Sequence, residues 1–193
     1  MEKIIIAFEG LPNSGKTSCI KQLTKINKEI LYVPELYIKQ EVNHPNLMRE
    51  KYTKAELNKY KKYQDKENKI IVMDRSFLST LAFSYAKKQR YGKSNDYKYN
   101  IRFLKDNINN MLFPNIIIIF DIKPSNSLIR NKRENQLKNW EDINFLKSFK
   151  NYYISKEFKK ISKNINIFLI DTNNLSDNKI MGEVKKIIET IHK

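Results

Sequence analysis

Eight consecutive residues near the amino end, Gly10-Leu11-Pro12-Asn13-Ser14-Gly15-Lys16-Thr17, fit the pattern G-x-x-x-x-G-K-[ST]. The chemistry open to such a loop is the capture of a polyphosphate. A row of phosphates needs a concave backbone whose N–H groups all point inward. Gly10 and Gly15 permit the backbone angles and the close approach, and two of the four glycines in the chain stand in this loop. A helix starting directly after it turns its positive end toward the anion. Lys16 is then spaced to reach the β- and γ-phosphates of ATP, and the Thr17 hydroxyl to hold Mg²⁺. Asn13, Ser14 and Ser18 complete the set expected to contact the nucleotide.

Further charged residues fall where short apolar runs end: Val33-Pro34-Glu35, Asp74-Arg75-Ser76 and Asp121. In an open parallel sheet, ligands sit at the carboxyl ends of the strands. Asp74 would hold Mg²⁺ or its water, and Arg75 would neutralise a transferring or acceptor phosphate; the same pair also reads as a structural ion pair or a solvated turn. Glu35 either takes a proton from a substrate hydroxyl or caps a turn. Asp121 reads as a loop-starting residue rather than a ligand. Arg130 and Arg133 suit a cationic lid over the moving phosphoryl group, whose closure would exclude water. In a Lys-rich chain they equally suit a plain basic helix face. Phe77, Phe83 and Phe103 are core candidates that are also able to stack on a base.

The elements that must position these groups follow from hydrophobic periodicity. Five short, β-branched, almost continuously apolar stretches read as buried strands: Ile4–Phe8, Ile30–Val33, Ile70–Met73, Ile116–Phe120 and Ile167–Ile170. Continuous rather than alternating apolar character is expected of parallel strands covered on both faces. Helical stretches lie between them: Ser18–Lys25, Lys54–Lys66 (with Thr53-Lys54-Ala55-Glu56 as a capping box), Leu78–Tyr85, Asn100–Met111, Ser127–Arg133, Ile143–Lys160 and Lys179–Ile191. Tyr91–Lys98 reads as a flexible loop. Strand–helix alternation of this kind gives the α/β class with an open parallel sheet.

Composition excludes several classes. A chain of 193 residues with 40% hydrophobic residues buries a sizeable core and fits one domain. No apolar run approaches the ~20 residues of a membrane span, and Ile4-Ile5-Ile6 is too short for a secretory leader. One cysteine, Cys19, rules out an internal disulfide framework, and two histidines leave little room for a His-based metal centre. The expectation is a soluble cytoplasmic protein without a membrane partner. The 37 basic against 21 acidic residues give a net charge of +16. That balance suits a nucleic-acid or phosphate-rich partner. It equally suits a Lys-, Asn- and Ile-rich composition, because the lysines are spread along the chain rather than blocked. No nucleic-acid recognition motif accompanies the charge, so a nucleic-acid partner is not expected.

Beyond the individual motifs, the chain resembles the thymidylate kinase group of P-loop nucleoside and nucleotide kinases. Phe8-Glu9-Gly10 through Thr17 is similar to that family's E-G-x-x-x-x-G-K-T. Asp74-Arg75 with Ser79, Leu81, Ala82 and Phe83 resembles D-R-x-x-x-S-x-L-A-[FY]. Pro124, Leu128 and Arg130 resemble P-x-x-x-L-x-R leading into the lid, and Glu141, Phe145, Leu146, Phe149, Lys150 and Tyr153 the segment behind it. The resemblance implies a three-layer P-loop NTPase fold in one domain, 1–193, with a central five-stranded parallel sheet flanked by helices and a lid at about 123–141. It implies ATP and Mg²⁺ as cofactors, a small nucleotide or nucleoside acceptor, and a homodimer.

The activity implied is transfer of the γ-phosphate of ATP to a nucleoside monophosphate, dTMP in the first place. Pro34 stands where this family has an Arg that grips the acceptor phosphate. Pro34-Glu35 and Asp74-Arg75-Ser76 are instead similar to deoxynucleoside kinases, whose Glu acts as base toward the sugar 5′-hydroxyl; that is the alternative acceptor. A P-loop switch acting through a protein partner is a further alternative. A GTPase is not indicated: Asn131-Lys132-Arg133-Glu134 has Glu where a base-reading N-K-x-D has Asp.

Overall fold

A computed structural model of the chain describes residues 3–36, 45–130 and 138–191. Among these residues five parallel strands form one sheet in the order β2-β3-β1-β4-β5. The strands are β1 (Ile4–Gly10), β2 (Ile30–Val33), β3 (Ile70–Asp74), β4 (Ile116–Asp121) and β5 (Asn166–Asp171). Each covers the run expected of it, and β1, β3 and β4 continue to the charged residue or glycine at their carboxyl end. For β1, β3 and β4 the reason is burial from both sides; β5, at the sheet edge, leaves Ile167 and Leu169 exposed, so the expected cover on both of its faces is not met. Ile6, Phe8, Val72, Ile118 and Phe120 face one layer, formed by α1 (Lys16–Ile26) and α8 (Asp177–Ile191). Ile117 and Ile119 face the other, with α3 (Phe77–Tyr91), α4 (Asn95–Asn107), α6 (Ile143–Tyr152) and α7 (Lys156–Ile161). Ala7, Ile71 and Met73 lie on this second face under Tyr60 and Tyr63 of α2 (Pro45–Tyr63). The result is the three-layer fold with its central parallel sheet. The Phe8 and Phe120 rings meet at 4.9 Å across β1 and β4, and burial of each such side chain contributes about 1.5–3 kcal/mol.

Helix limits differ from expectation in instructive ways. The capping box at Thr53 is not a helix start. α2, described from Pro45 to Tyr63, already runs through Thr53. Thr53 sits inside that helix, its hydroxyl turned back on the carbonyls of Glu50 at 3.0 Å and Arg49 at 3.2 Å. Of the expected loop Tyr91–Lys98, only 92–94 lie outside helices. α3 runs to Tyr91, Gly92 ends it in the left-handed region at φ +68°, and α4 starts at Asn95. The long amphipathic stretch after Ile143 breaks into α6 and α7, because Ser155 caps a new start by accepting the Phe158 N–H at 3.1 Å. A short helix α5 (Pro124–Ile129) follows β4 and ends at the cap residue Arg130; positions 131–133 of the expected helix lie outside the described residues.

Gly10 fixes how the sheet opens into the phosphate loop. It pairs with Phe120 of β4 and has φ +126°. A Cβ on it would lie 2.5 Å from the Phe120 carbonyl oxygen. Only glycine lets the two backbones approach this closely before the loop turns away.

Candidate active site

The loop between β1 and α1 turns on three left-handed residues, Gly10, Asn13 (φ +58°) and Gly15 (φ +96°). Gly15 is the N-cap of α1, and no side chain caps that helix. Its first N–H groups therefore face the loop without a competing side-chain acceptor. From the outside, α5 braces the loop. Asn13 Nδ2 donates to the Ser127 carbonyl at 3.1 Å, and Ser127 Oγ donates to the Pro12 carbonyl at 2.7 Å. The Asn13 amide is thus structural, leaving its backbone N–H as the part able to meet a nucleotide. Lys16 is buried, with Nζ donating to the Leu11 carbonyl at 2.7 Å and to Ser14 Oγ at 3.1 Å. Burial first, and the adjacent Arg75 charge second, push the Lys16 ammonium down to about 7. Ser18 is exposed on the first turn of α1.

β3 delivers the second group of residues beside the loop, because it pairs with β1 so that Asp74 lies opposite Phe8. Thr17 Oγ1 donates to Asp74 Oδ2 at 2.5 Å. The other carboxylate oxygen, Oδ1, is buried and has no hydrogen-bond partner among the described residues. Arg75 follows with φ +66°, an uncommon conformation for a side-chain-bearing residue and typical of a functional turn. Its Nη1 donates to the Gly10 carbonyl at 2.8 Å and to Ser79 Oγ at 3.1 Å. Its Nε lies 2.8 Å from Glu35 Oε1, an ion pair without the alignment of a hydrogen bond. The guanidinium carbon also stands 5.7 Å from the Phe149 ring centre and 5.9 Å from that of Trp140. Burial opposes its charge, but the carboxylates of Glu35, Glu9 and Asp74 and the Tyr153 phenol more than offset this, so it stays protonated.

The expected residues therefore separate into two sets. Lys16, Thr17, Asp74, Arg75 and Glu35 meet at the carboxyl end of β1 and β3. Arg130 does not join them: Nη2 donates to the carbonyls of Thr172 at 2.9 Å and Asn173 at 2.8 Å, on the loop after β5. Arg133 lies outside the described residues. Asp121 is paired with Lys150 of α6. Phe77 packs against Phe103 at 5.5 Å, and Phe83 against Trp140 at 5.3 Å and Phe145 at 5.0 Å, so Phe77 and Phe83 belong to the core cluster.

Comparison with known proteins gives this geometry a family. Residues 41–180 match the family model described as thymidylate kinase. The chain belongs to the thymidylate kinase family. It is a nucleotide kinase, and use of ATP follows from the family. The matched span begins after the phosphate loop, so the loop and the match are separate observations. A probable thymidylate kinase of Sulfurisphaera tokodaii is 23% identical over 180 residues, covering 86% of each chain. Among solved structures, deoxyadenosine kinase from M. mycoides with bound dATP superposes with a TM-score of 0.75 at 16% identity, over 96% of this chain and 100% of that one. Thymidylate kinase from Candida albicans superposes with a TM-score of 0.70 at 14% identity, over 99% and 93%. At these identities the structural likenesses establish the fold.

Four residues of this candidate site have no role assigned from the sequence: Glu9, Ser76, Ser79 and Tyr153. Glu9 is fully buried at the end of β1 and accepts hydrogen bonds from the other three. One signal was available, namely an acidic residue ending an otherwise apolar buried strand, where a charge persists only with several partners. Tyr153 is 144 residues away in sequence, and no local pattern connects the two.

Proposed function

We propose that this kinase transfers the γ-phosphoryl group of ATP to the 5′ end of a deoxynucleotide-type acceptor, dTMP first. The observation that carries this reading is the convergence of Lys16, Thr17, Asp74 and Arg75 on one phosphate loop. The loop N–H groups and Lys16 would hold the phosphates. Thr17 Oγ1 and the unpartnered Asp74 Oδ1 fit Mg²⁺, an ion that binds few protein oxygens and shares the rest of its shell with phosphate and water. When bound, Mg²⁺ would neutralise charge on the phosphate oxygens. Arg75 would stabilise the charge of the in-line transfer from a setting shielded by Phe149 and Trp140.

Glu35 separates two acceptors. It is exposed and paired with Arg75. With dTMP, the acceptor phosphate would take Glu35's place on Arg75. With a deoxynucleoside, Glu35 would stay and accept the 5′-hydroxyl proton. The Glu35–Arg75 contact, with Pro34 beside it, favours this second reading enough to test it directly. Mass-spectrometric analysis of ATP with each nucleoside and nucleoside monophosphate should show one phosphorylated product class. Glu35→Gln should lower kcat about 10²-fold or more if the acceptor is a hydroxyl and change it little if it is dTMP. ATP turnover that yields no phosphorylated acceptor would overturn both readings in favour of a nucleotide-dependent switch.

The depressed Lys16 carries a pH dependence. Phosphates beside it favour the ammonium form, so above about pH 7 nucleotide capture takes up a proton. Affinity for ATP should then fall as pH rises, by up to about tenfold per unit. Calorimetric titration at neutral and alkaline pH checks this. A flat profile in the wild type would show that Lys16 is already charged without ligand.

A further inference from the structure

A single buried carboxylate ties together the three segments that enclose Arg75. Glu9 Oε1 accepts the Ser76 backbone N–H at 2.8 Å and the Ser76 hydroxyl at 2.7 Å. That same Ser76 hydroxyl accepts the Leu78 N–H at 3.2 Å and caps α3. Glu9 Oε2 accepts from the Tyr153 hydroxyl at 2.8 Å, from the end of α6, and from Ser79 Oγ. Ser79 Oγ in turn accepts from Arg75 Nη1 at 3.1 Å. The Arg75 N–H donates to the Phe8 carbonyl at 3.1 Å, on the residue before Glu9.

These contacts bear on one problem. Arg75 sits at φ +66°, a conformation that costs about 1–2 kcal/mol for a residue with a side chain. It persists only where its surroundings over-determine it. The peptide on its carboxyl side is held by Glu9 Oε1, and its guanidinium is held through Ser79 by Glu9 Oε2. The fully buried carboxylate itself is tolerable because four donors satisfy it. Ser79 and Tyr153 come from different helices, so the arrangement exceeds what a helix cap requires. We propose that Glu9 is the positioning residue that aims the Arg75 guanidinium for phosphoryl transfer. It touches no reacting atom and acts through Ser76 and Ser79. The inference rests on Arg75 acting at the transferring phosphate, as proposed above.

The test is a double-mutant cycle read as ADP formation from ATP and Mg²⁺, with a mixture of the four deoxynucleosides and their monophosphates as acceptors. Glu9→Gln keeps the side chain's shape but replaces one acceptor oxygen by a donor. It should lower kcat about 10²-fold and leave the KM for ATP within about twofold, because the loop itself is untouched. Combined with Arg75→Ala, it should add almost nothing to the loss from Arg75→Ala alone. Ser79→Ala, a milder change, should cost about tenfold in kcat with the same non-additivity, and it carries the test if Glu9→Gln does not fold.

Losses that multiply with that of Arg75→Ala, or a wild-type kcat in Ser79→Ala and in folded Glu9→Gln, would overturn the inference. A wild-type rate in Arg75→Ala alone would instead overturn the reading on which it rests. The two failures are thus told apart.

Discussion

Lys16→Met is expected to lower turnover at least about 10³-fold while the protein remains folded. The size of the loss follows from the site Lys16 occupies. It is buried beside the loop and coordinates the Leu11 and Gly10 carbonyls and Ser14 Oγ from within. Nothing else in the loop supplies a flexible cation to a phosphate chain, and Met keeps an unbranched side chain one atom shorter without the charge. The fold survives because the loop is shaped elsewhere: by the left-handed Gly10, Asn13 and Gly15, the close approach of Gly10 to Phe120, and the Asn13 and Ser127 bonds to α5.

Two stability terms oppose each other in this variant. Loop carbonyls lose a donor, at about 1–3 kcal/mol. A cation whose burial holds its pKa down to about 7 is also removed. The thermal midpoint should therefore move by no more than about 5 °C. ADP release and a circular-dichroism melt give the two numbers. Wild-type turnover in a folded Lys16→Met protein would place the phosphates somewhere other than this loop.

The phosphate loop and the strands were legible in the amino-acid sequence because each depends on local physics. Gly10 and Gly15 must be glycine for backbone reasons, and Ile70–Met73 must be apolar because both of its faces are covered. Asp74-Arg75 was legible for a related reason, since a charged pair ending a buried strand has to face a ligand or a partner. What escaped was the set of residues held together only by tertiary distance. Glu9 meets Tyr153 from 144 residues away, and Trp140 reaches Arg75 from the short turn ahead of α6. The sequence suggested Arg130 over the transferred group. Its bonds to Thr172 and Asn173 depend on where the loop after β5 lies, which periodicity does not encode. The helical run ahead of Thr53 was missed because Thr53-x-x-Glu56 satisfies the capping pattern, although the residues stand inside α2.

Arg75→Ala should lower kcat about 10³-fold, with a smaller effect on the KM for ATP. The guanidinium is fastened at both ends, by the Gly10 carbonyl and Ser79 through Nη1 and by Glu35 through Nε, and it lies over Phe149 and Trp140. As proposed for the transfer step, it would enter the reaction already oriented and partly desolvated, so little reorganisation would remain when charge develops on the phosphoryl group. Arg75→Lys should recover little. A single ammonium cannot satisfy Gly10, Ser79 and Glu35 together and still face a phosphate, and it lacks the planar fork that stacks on the two rings. The alanine variant also leaves Glu9 and Glu35 without their shared cation, which adds ground-state repulsion toward an anionic acceptor. If the acceptor is dTMP, its KM should therefore rise more than that for ATP. If the acceptor is a deoxynucleoside, its KM should stay near the wild-type value while kcat falls. Steady-state kinetics with each substrate varied in turn separate these cases, and a folded Arg75→Ala enzyme with undiminished kcat would remove Arg75 from the transfer step.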